Sequence, residues 1–346
     1  MEEKYNAAIV GCGVIAQAHL KVLKKLRSLK VVAVCDIDKK KAIATSEKWK
    51  IDRYYRSYSR MLNNEDISIV SILTPPSSHS FLAVDAIKHG MNVVIEKPLT
   101  MTTTEADSIV SALRKSKSKM IVVYHWLFTK AMLKALSLIR ERQIGEVLNV
   151  DIRVTHNAKE DPMASDANHW CHNLLGGRFG EMLPHPVYIL QSVLSDNLTI
   201  RDTFVSKRGD IPWMRHDELY ATLQSEKGYG SIYISLNSLR ASMNVDIYGT
   251  KEILKVDLSS QSVLQLRQRA LSKFHVATDS LSIASSIFLS TMENALDFAF
   301  KKKGEYSISN VYTMLTDCIK KDTTPLVTPE MAYHTVRVVE EICRSI

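Results

Sequence analysis

The chain has 346 residues, 45% of them hydrophobic and 24% charged, with a formal charge of +8. This length allows one large or two medium domains, and the composition supports a sizeable core and excludes global disorder. No run approaches the roughly 20 apolar residues of a membrane helix, and the dispersed lysines lack the aromatic interleaving of a single-strand binder, so an anionic small molecule is expected rather than a membrane or nucleic acid.

The five cysteines, at 12, 35, 171, 318 and 343, have neither disulfide nor metal spacing, which predicts a reducing, cytoplasmic compartment and no metal site. Met1-Glu2-Glu3-Lys4-Tyr5 is acidic and leads straight into a strand, unlike a signal peptide. Ala7 to Val10 predicts that strand. It runs into Gly11-Cys12-Gly13-Val14-Ile15-Ala16 and a helical pattern of Ile15, His19, Leu20, Leu23 and Leu26. Strand, G-x-G-x-x-A and helix together read as a dinucleotide-binding fingerprint. Gly11 allows the tight turn, Gly13 lets a pyrophosphate approach the backbone, and small Ala16 lets helix and strand pack closely. The N–H groups of Val14, Ile15 and Ala16 at the helix start would face the phosphates. Val31 to Cys35 predicts a second strand ending at Asp36, 20 residues after Ala16. A carboxylate there accepts hydrogen bonds from ribose hydroxyls and repels a 2′-phosphate. NAD is therefore favoured over NADP, with Lys39-Lys40-Lys41 acting against that preference.

The alternation continues with a helix over Lys39 to Trp49, a short strand region over Asp52 to Tyr58 and a strand over Ser68 to Leu73. Pro75 and Pro76 stop the sheet there. The loop Thr74-Pro75-Pro76-Ser77-Ser78-His79 then leads into a helix closed by Gly90. Asn92 to Ile95 predicts a buried parallel strand that ends abruptly in Glu96-Lys97-Pro98. Ligands of open α/β sheets bind beyond the carboxyl ends of the strands, so Lys97 stands where such a sheet presents its chemistry. A helix from Thr103 to Lys117 and a strand from Met120 to Tyr124 complete a doubly wound parallel sheet with right-handed crossovers. The first domain is read as 1–124 and the second as 125–346, with a return of the last helices to the first domain left open.

In the second half, Thr129 to Arg142 predicts a helix and Glu146 to Thr155 a strand. Asn157 to Ala167 reads as a mobile loop over a site. His169-Trp170-Cys171-His172 follows, without the ligand pairs of a zinc site. Trp170 and His172 are candidates for lining a substrate pocket, with core packing an equal alternative for Trp170. Leu175-Gly176-Gly177-Arg178-Phe179-Gly180-Glu181-Met182-Leu183-Pro184-His185 places Glu181 and His185 four residues apart, one helical face if the segment is helical. Pro184 and Pro186 argue against a regular helix there. Further strands are predicted over 199–205, 218–224, 230–236, 243–248 and 253–258, a helical elaboration over 260–302, and closing helices over 307–320 and 329–345.

These motifs, in this order, resemble the Gfo/Idh/MocA family, named for glucose–fructose oxidoreductase and inositol dehydrogenase. The glycine loop, Thr74-Pro75-Pro76 with His79, Glu96-Lys97-Pro98, the Gly176 to His185 segment and Pro325-Leu326-Val327-Thr328-Pro329-Glu330 carry the resemblance. It implies an N-terminal Rossmann domain and a C-terminal α/β domain with a large, mostly antiparallel sheet. It also implies NAD or NADP as cofactor, bound around Gly11 to Ala16, Asp36, Thr74, Pro75, His79, Glu96 and His125. The reaction implied is hydride transfer on a sugar or polyol carbon, with Lys97 catalytic and its peptide to Pro98 cis. Glu181 stands where the family has an aspartate and His185 at its histidine. Leu175, Leu183, Tyr188 and Leu127 depart from the pattern, which leaves the reaction class standing and opens the question of substrate.

The mechanism expected is removal of a hydroxyl proton by His185, stabilisation of alkoxide charge by Lys97 and orientation of His185 or a neighbouring hydroxyl by Glu181. A homodimer or homotetramer acting on a small sugar or polyol is expected. Two rivals remain: a cofactor-binding sensor without catalysis, and an enzyme acting on a nucleotide-linked sugar.

Overall fold

A computed structural model describes residues 4–267, 278, 280–281, 283–292 and 305–346. The chain divides into two compact units, residues 1–125 with 304–336, and residues 126–303 with 337–346. The boundary read at 124/125 therefore compares with a division at 125/126. Among the described residues no helix is long and apolar enough to cross a membrane.

The first unit is built on a six-stranded sheet in the order β3-β2-β1-β4-β5-β6. Its strands are β1 (Tyr5–Val10), β2 (Leu29–Cys35), β3 (Arg53–Tyr55), β4 (Ile69–Ile72), β5 (Asn92–Ile95) and β6 (Met120–Val122), all parallel. Helices α1 (Val14–Leu23), α2 (Lys39–Trp49), α3 (Tyr58–Asn64), α4 (His79–Lys88) and α5 (Thr103–Arg114) connect them. The continuous apolar runs are explained by burial: Ala7, Ala8, Ile9, Ile69, Val70, Ile72, Val93, Val94 and Ile95 are wholly inside, as strands covered on both faces must be. The order reverses between β1 and β4, the point at which such sheets bind their ligands.

The second unit holds a seven-stranded sheet in the order β13-β12-β11-β7-β10-β9-β8. The strands are β7 (Val147–Asn157), β8 (Thr199–Ser206), β9 (Glu218–Ser225), β10 (Gly228–Ser235), β11 (Asn237–Gly249), β12 (Glu252–Asp257) and β13 (Ser262–Arg267). Only β7 and β10 run parallel; the other neighbours are antiparallel. Ile152, Ile232, Ala221, Val245 and Leu254 alternate inward on one face, and α6 (Lys130–Arg140) packs against that sheet at β12 and β13.

The helical reading of 260–302 fails at its start, because Ser262–Arg267 is β13. Asp257 Oδ1 accepts the N–H groups of Ser259 and Ser260 at 2.8 and 3.2 Å, and Gln261 takes φ +58°. This turn reverses the chain onto the exposed edge of β12 without the glycine that usually marks such a turn. Residues 278, 280–281 and 283–292 are helical, and the rest of the predicted elaboration lies outside the described residues. Two helices follow: one over Glu305–Lys321, within the first unit, and one over Pro329–Arg344.

Candidate active site

In the first unit β1 delivers Gly11 at φ +93°, its N–H bonded to the Cys35 carbonyl at 2.8 Å. A Cβ here would meet the Leu73 carbonyl oxygen at 2.7 Å, so the ends of β1 and β4 approach only because residue 11 lacks one. Gly13 is small for another reason. A Cβ on it would meet nothing within 4 Å, so its bare backbone faces open space. Helix α1 begins there without a side-chain cap or an acidic residue in its first turn, leaving its opening N–H groups to some other acceptor. Val14 stands 92% exposed at this start, whereas Ala16 is fully buried. The Asp36 carboxylate accepts the N–H of Cys12 at 2.7 Å and that of Asp38 at 2.8 Å, which fixes it beside the glycine loop. An uncapped helix start, open backbone and a carboxylate fit the diphosphate and ribose of a dinucleotide.

Thr74 and Pro75 form the loop after β4. Thr74 Oγ1 lies 2.7 Å from Ser78 Oγ, which donates to the Pro75 carbonyl at 2.9 Å. His79 lies inside the unit. Its ring is wholly buried, with Nε2 2.8 Å from the Thr74 carbonyl and Nδ1 3.0 and 3.2 Å from those of Pro98 and Leu99. Burial holds its pKa below the ordinary histidine value, with the carbonyl contacts acting the other way. His79 therefore ties the loop after β4 to the turn after β5 through its ring nitrogens.

Glu96 is also engaged within the unit. One carboxylate oxygen faces His19 Nε2 at 3.1 Å and the other accepts the Lys97 N–H at 3.0 Å. Burial alone would raise its pKa; the hydrogen bond from His19, together with the Lys97 ammonium and N–H, outweighs this and holds it below the usual carboxylate range. The Lys97–Pro98 peptide is cis. His125 follows β6 at the end of the same unit.

In the second unit a short helix, α7 (Pro162–Ser165), interrupts the loop read as mobile. Asp161 caps it, accepting the Met163 N–H at 3.0 Å. The other Asp161 oxygen accepts from Arg178 Nε and Nη2 at 3.0 and 2.7 Å, and Arg178 Nη1 donates to Glu181. The sequence pattern does not single out Arg178, although it lies one helical turn before Glu181 on α8 (Arg178–Met182). Glu181 and His185 do not share one regular helix. Leu183, at φ −54° and ψ −35°, closes α8 and opens α9 (Pro184–Val193). Both prolines fall in the first turn of α9, where a missing N–H breaks no helical bond. His185 Nδ1 lies 2.9 Å from Tyr188 Oη, and this hydroxyl also accepts the Trp126 N–H at 3.4 Å. Glu181 is thus paired with Arg178, and Tyr188, noted only as a departure, is the side chain bonded to His185. Trp170 is 45% exposed, which sets aside core packing. His172 Nε2 is buried without a hydrogen-bond partner among the described residues.

Residues 5–125 match the family model of the GFO_IDH_MocA oxidoreductases with an NAD-binding Rossmann fold, and residues 137–346 match that family's C-terminal α/β domain. The chain belongs to this family. It is 28% identical over 194 residues to oxidoreductase P35 of Formosa agariphila, covering 55% of this chain and 60% of that protein. It is 31% identical over 160 residues to the inositol 2-dehydrogenase of Salmonella typhimurium, covering 45% and 47%. The matched stretches thus span about half the length of these curated relatives. Among solved structures, the WlbA dehydrogenase of Bordetella pertussis with NADH and UDP-GlcNAcA superposes with a TM-score of 0.80 at 18% identity, covering 100% of this chain and 96% of that one. A levoglucosan dehydrogenase with NADH gives 0.79 at 15%, covering 99% and 97%. At such identities these two speak for the fold. The family assignment makes the first unit an NAD-binding Rossmann domain.

Proposed function

We propose that this Gfo/Idh/MocA chain is an NAD-dependent dehydrogenase acting on a hydroxyl-bearing carbon of a sugar or polyol. The observation that carries it is the uncapped start of α1 at Gly13, with Asp36 held beside the same loop. Bound NAD would supply the hydride acceptor at its nicotinamide ring. The chain's own groups would manage the substrate oxygen. With Tyr188 Oη accepting Nδ1–H, His185 takes the tautomer whose other nitrogen can receive the hydroxyl proton. Lys97 would stabilise the developing alkoxide. Glu181, ion-paired with Arg178, would hold the segment that leads to His185, and Trp170 and His172 would line the sugar, the buried Nε2 of His172 being suited to a hydroxyl. Relatives named for inositol and D-apiose support a polyol or sugar substrate.

The test is a panel of myo-inositol, D-apiose and levoglucosan with NAD or NADP, followed by nicotinamide absorbance. Turnover with at least one sugar and preference for NAD is expected. Silence across a broad polyol and sugar panel would favour the sensor reading.

We also infer that the chain assembles with itself in a reducing compartment. Phe204, Tyr220 and Tyr233 lie side by side on the open face of the second sheet, Phe204 being 59% exposed, which suits a self-association surface. All five cysteines are free. Light scattering on the purified chain should give a dimer or tetramer, and Phe204→Asp should lower that mass.

A further inference from the structure

One buried polar cluster is not used by the mechanism above. His19, on α1, is wholly buried, with Nδ1 2.8 Å from Tyr312 Oη and Nε2 3.1 Å from a Glu96 carboxylate oxygen. Tyr312 Oη also lies 2.9 Å from Ser71 Oγ on β4. The other Glu96 oxygen accepts the backbone N–H of Lys97. All these groups belong to the first unit. Tyr312, on the helix Glu305–Lys321, stands 293 residues from His19, edge-on to its ring.

The donors can be assigned in sequence. An ionised carboxylate only accepts, so His19 donates from Nε2 to Glu96. With the ring neutral, Nδ1 accepts from the Tyr312 hydroxyl, which in turn accepts from Ser71. Every polar atom then has its partner, and the last bond in the series lands on the backbone of residue 97. Buried networks of this kind hold one geometry when complete, and losing one member unsettles the rest.

We propose that Tyr312 and His19 are positioning residues for Lys97: the series Ser71–Tyr312–His19–Glu96 fixes the Glu96 carboxylate against the Lys97 N–H and so aims the lysine. The inference rests on the reading that Lys97 acts on the substrate oxygen. Tyr312→Phe keeps the ring and deletes only the hydroxyl, leaving Nδ1 of His19 without its donor. The expected result is a fall in kcat of about tenfold, the weight of one hydrogen bond, with the KM for sugar and the Kd for NADH within twofold of the parent.

A double-mutant cycle separates aiming from general loosening. In a Lys97→Ala background, Tyr312→Phe should change the residual rate by less than twofold, since the group it aims is gone. Rates are read with whichever of myo-inositol, D-apiose or levoglucosan is turned over. An equal fall in both backgrounds, or no fall in the parent when Lys97→Ala alone is damaging, overturns the positioning role and leaves Lys97 standing. Unchanged turnover in Lys97→Ala overturns the role of Lys97 and this inference with it. Should Tyr312→Phe lose its fold, His19→Gln takes its place in the same cycle, with the same outcomes supporting or overturning the positioning role.

Discussion

Tyr188 Oη lies 2.9 Å from His185 Nδ1, one helical turn along the same short helix. The phenol is fully buried and uncharged, so it orients the imidazole without the electrostatic support a carboxylate would give to the protonated ring. Tyr188→Phe should lower kcat about tenfold, one hydrogen bond's worth, with little change in KM. Steady-state kinetics on the accepted sugar would show it, and unchanged kcat would exclude a working partnership.

Replacing Lys97 tests the other half of the chemistry. Lys97→Ala should retain NADH, seen by fluorescence titration, yet lose about a hundredfold or more in kcat, the usual cost of removing a group that stabilises a developing oxyanion.

The two glycines of the nucleotide loop should respond in opposite ways. Gly11→Ala forces a side chain into positive φ and against the Leu73 carbonyl, so its loss should appear in the melting temperature. Gly13→Ala adds a methyl to open space. The fold should hold while NADH binding weakens, because the methyl fills the approach to the backbone. A Gly13→Ala protein that binds NADH as tightly as the parent would remove the loop from the cofactor site.

Arg178 is 6% exposed between two nearly buried carboxylates. Arg178→Met should destabilise by about 3–5 kcal/mol, since it strands like charges inside the protein. Adding Glu181→Gln should recover part of that loss. Urea unfolding of the three proteins checks both expectations.

The folded pKa of His79 lies below its unfolded value of 6.5. Above pH 6.5 the ring is neutral in both states, and its contribution is fully present. As pH falls below 6.5 the unfolded chain takes up the proton first, so stability drains by about 1.4 kcal/mol for each pH unit until the folded pKa is reached. The stability gap between parent and His79→Gln should therefore shrink from pH 8 to pH 5. A gap constant with pH would mean that His79 does not titrate differently on folding.

Much of the first unit is legible in the sequence because its signals are local. Gly11, Gly13 and Asp36 announce themselves by spacing, and the strands by continuous apolar runs. The cluster under Lys97 is not, since Tyr312 meets His19 only after the intervening chain has folded. Arg178 is a different case. Its register three residues before Glu181 is visible, but a buried ion pair is selected by tertiary burial, which the pattern of polar residues around Gly180 conceals. The turn at Gln261 is hidden because glutamine at positive φ leaves no compositional mark.

Tyr312 also bears on how the protein is made. A ribosome releases residues 4–125 long before residue 312, so the nascent nucleotide-binding unit has its sheet but lacks the hydroxyl that completes its polar centre. His19 and Ser71 must wait through nearly two hundred further residues. The dinucleotide domain is therefore completed only after most of the second unit has been synthesised, although its strands are made first.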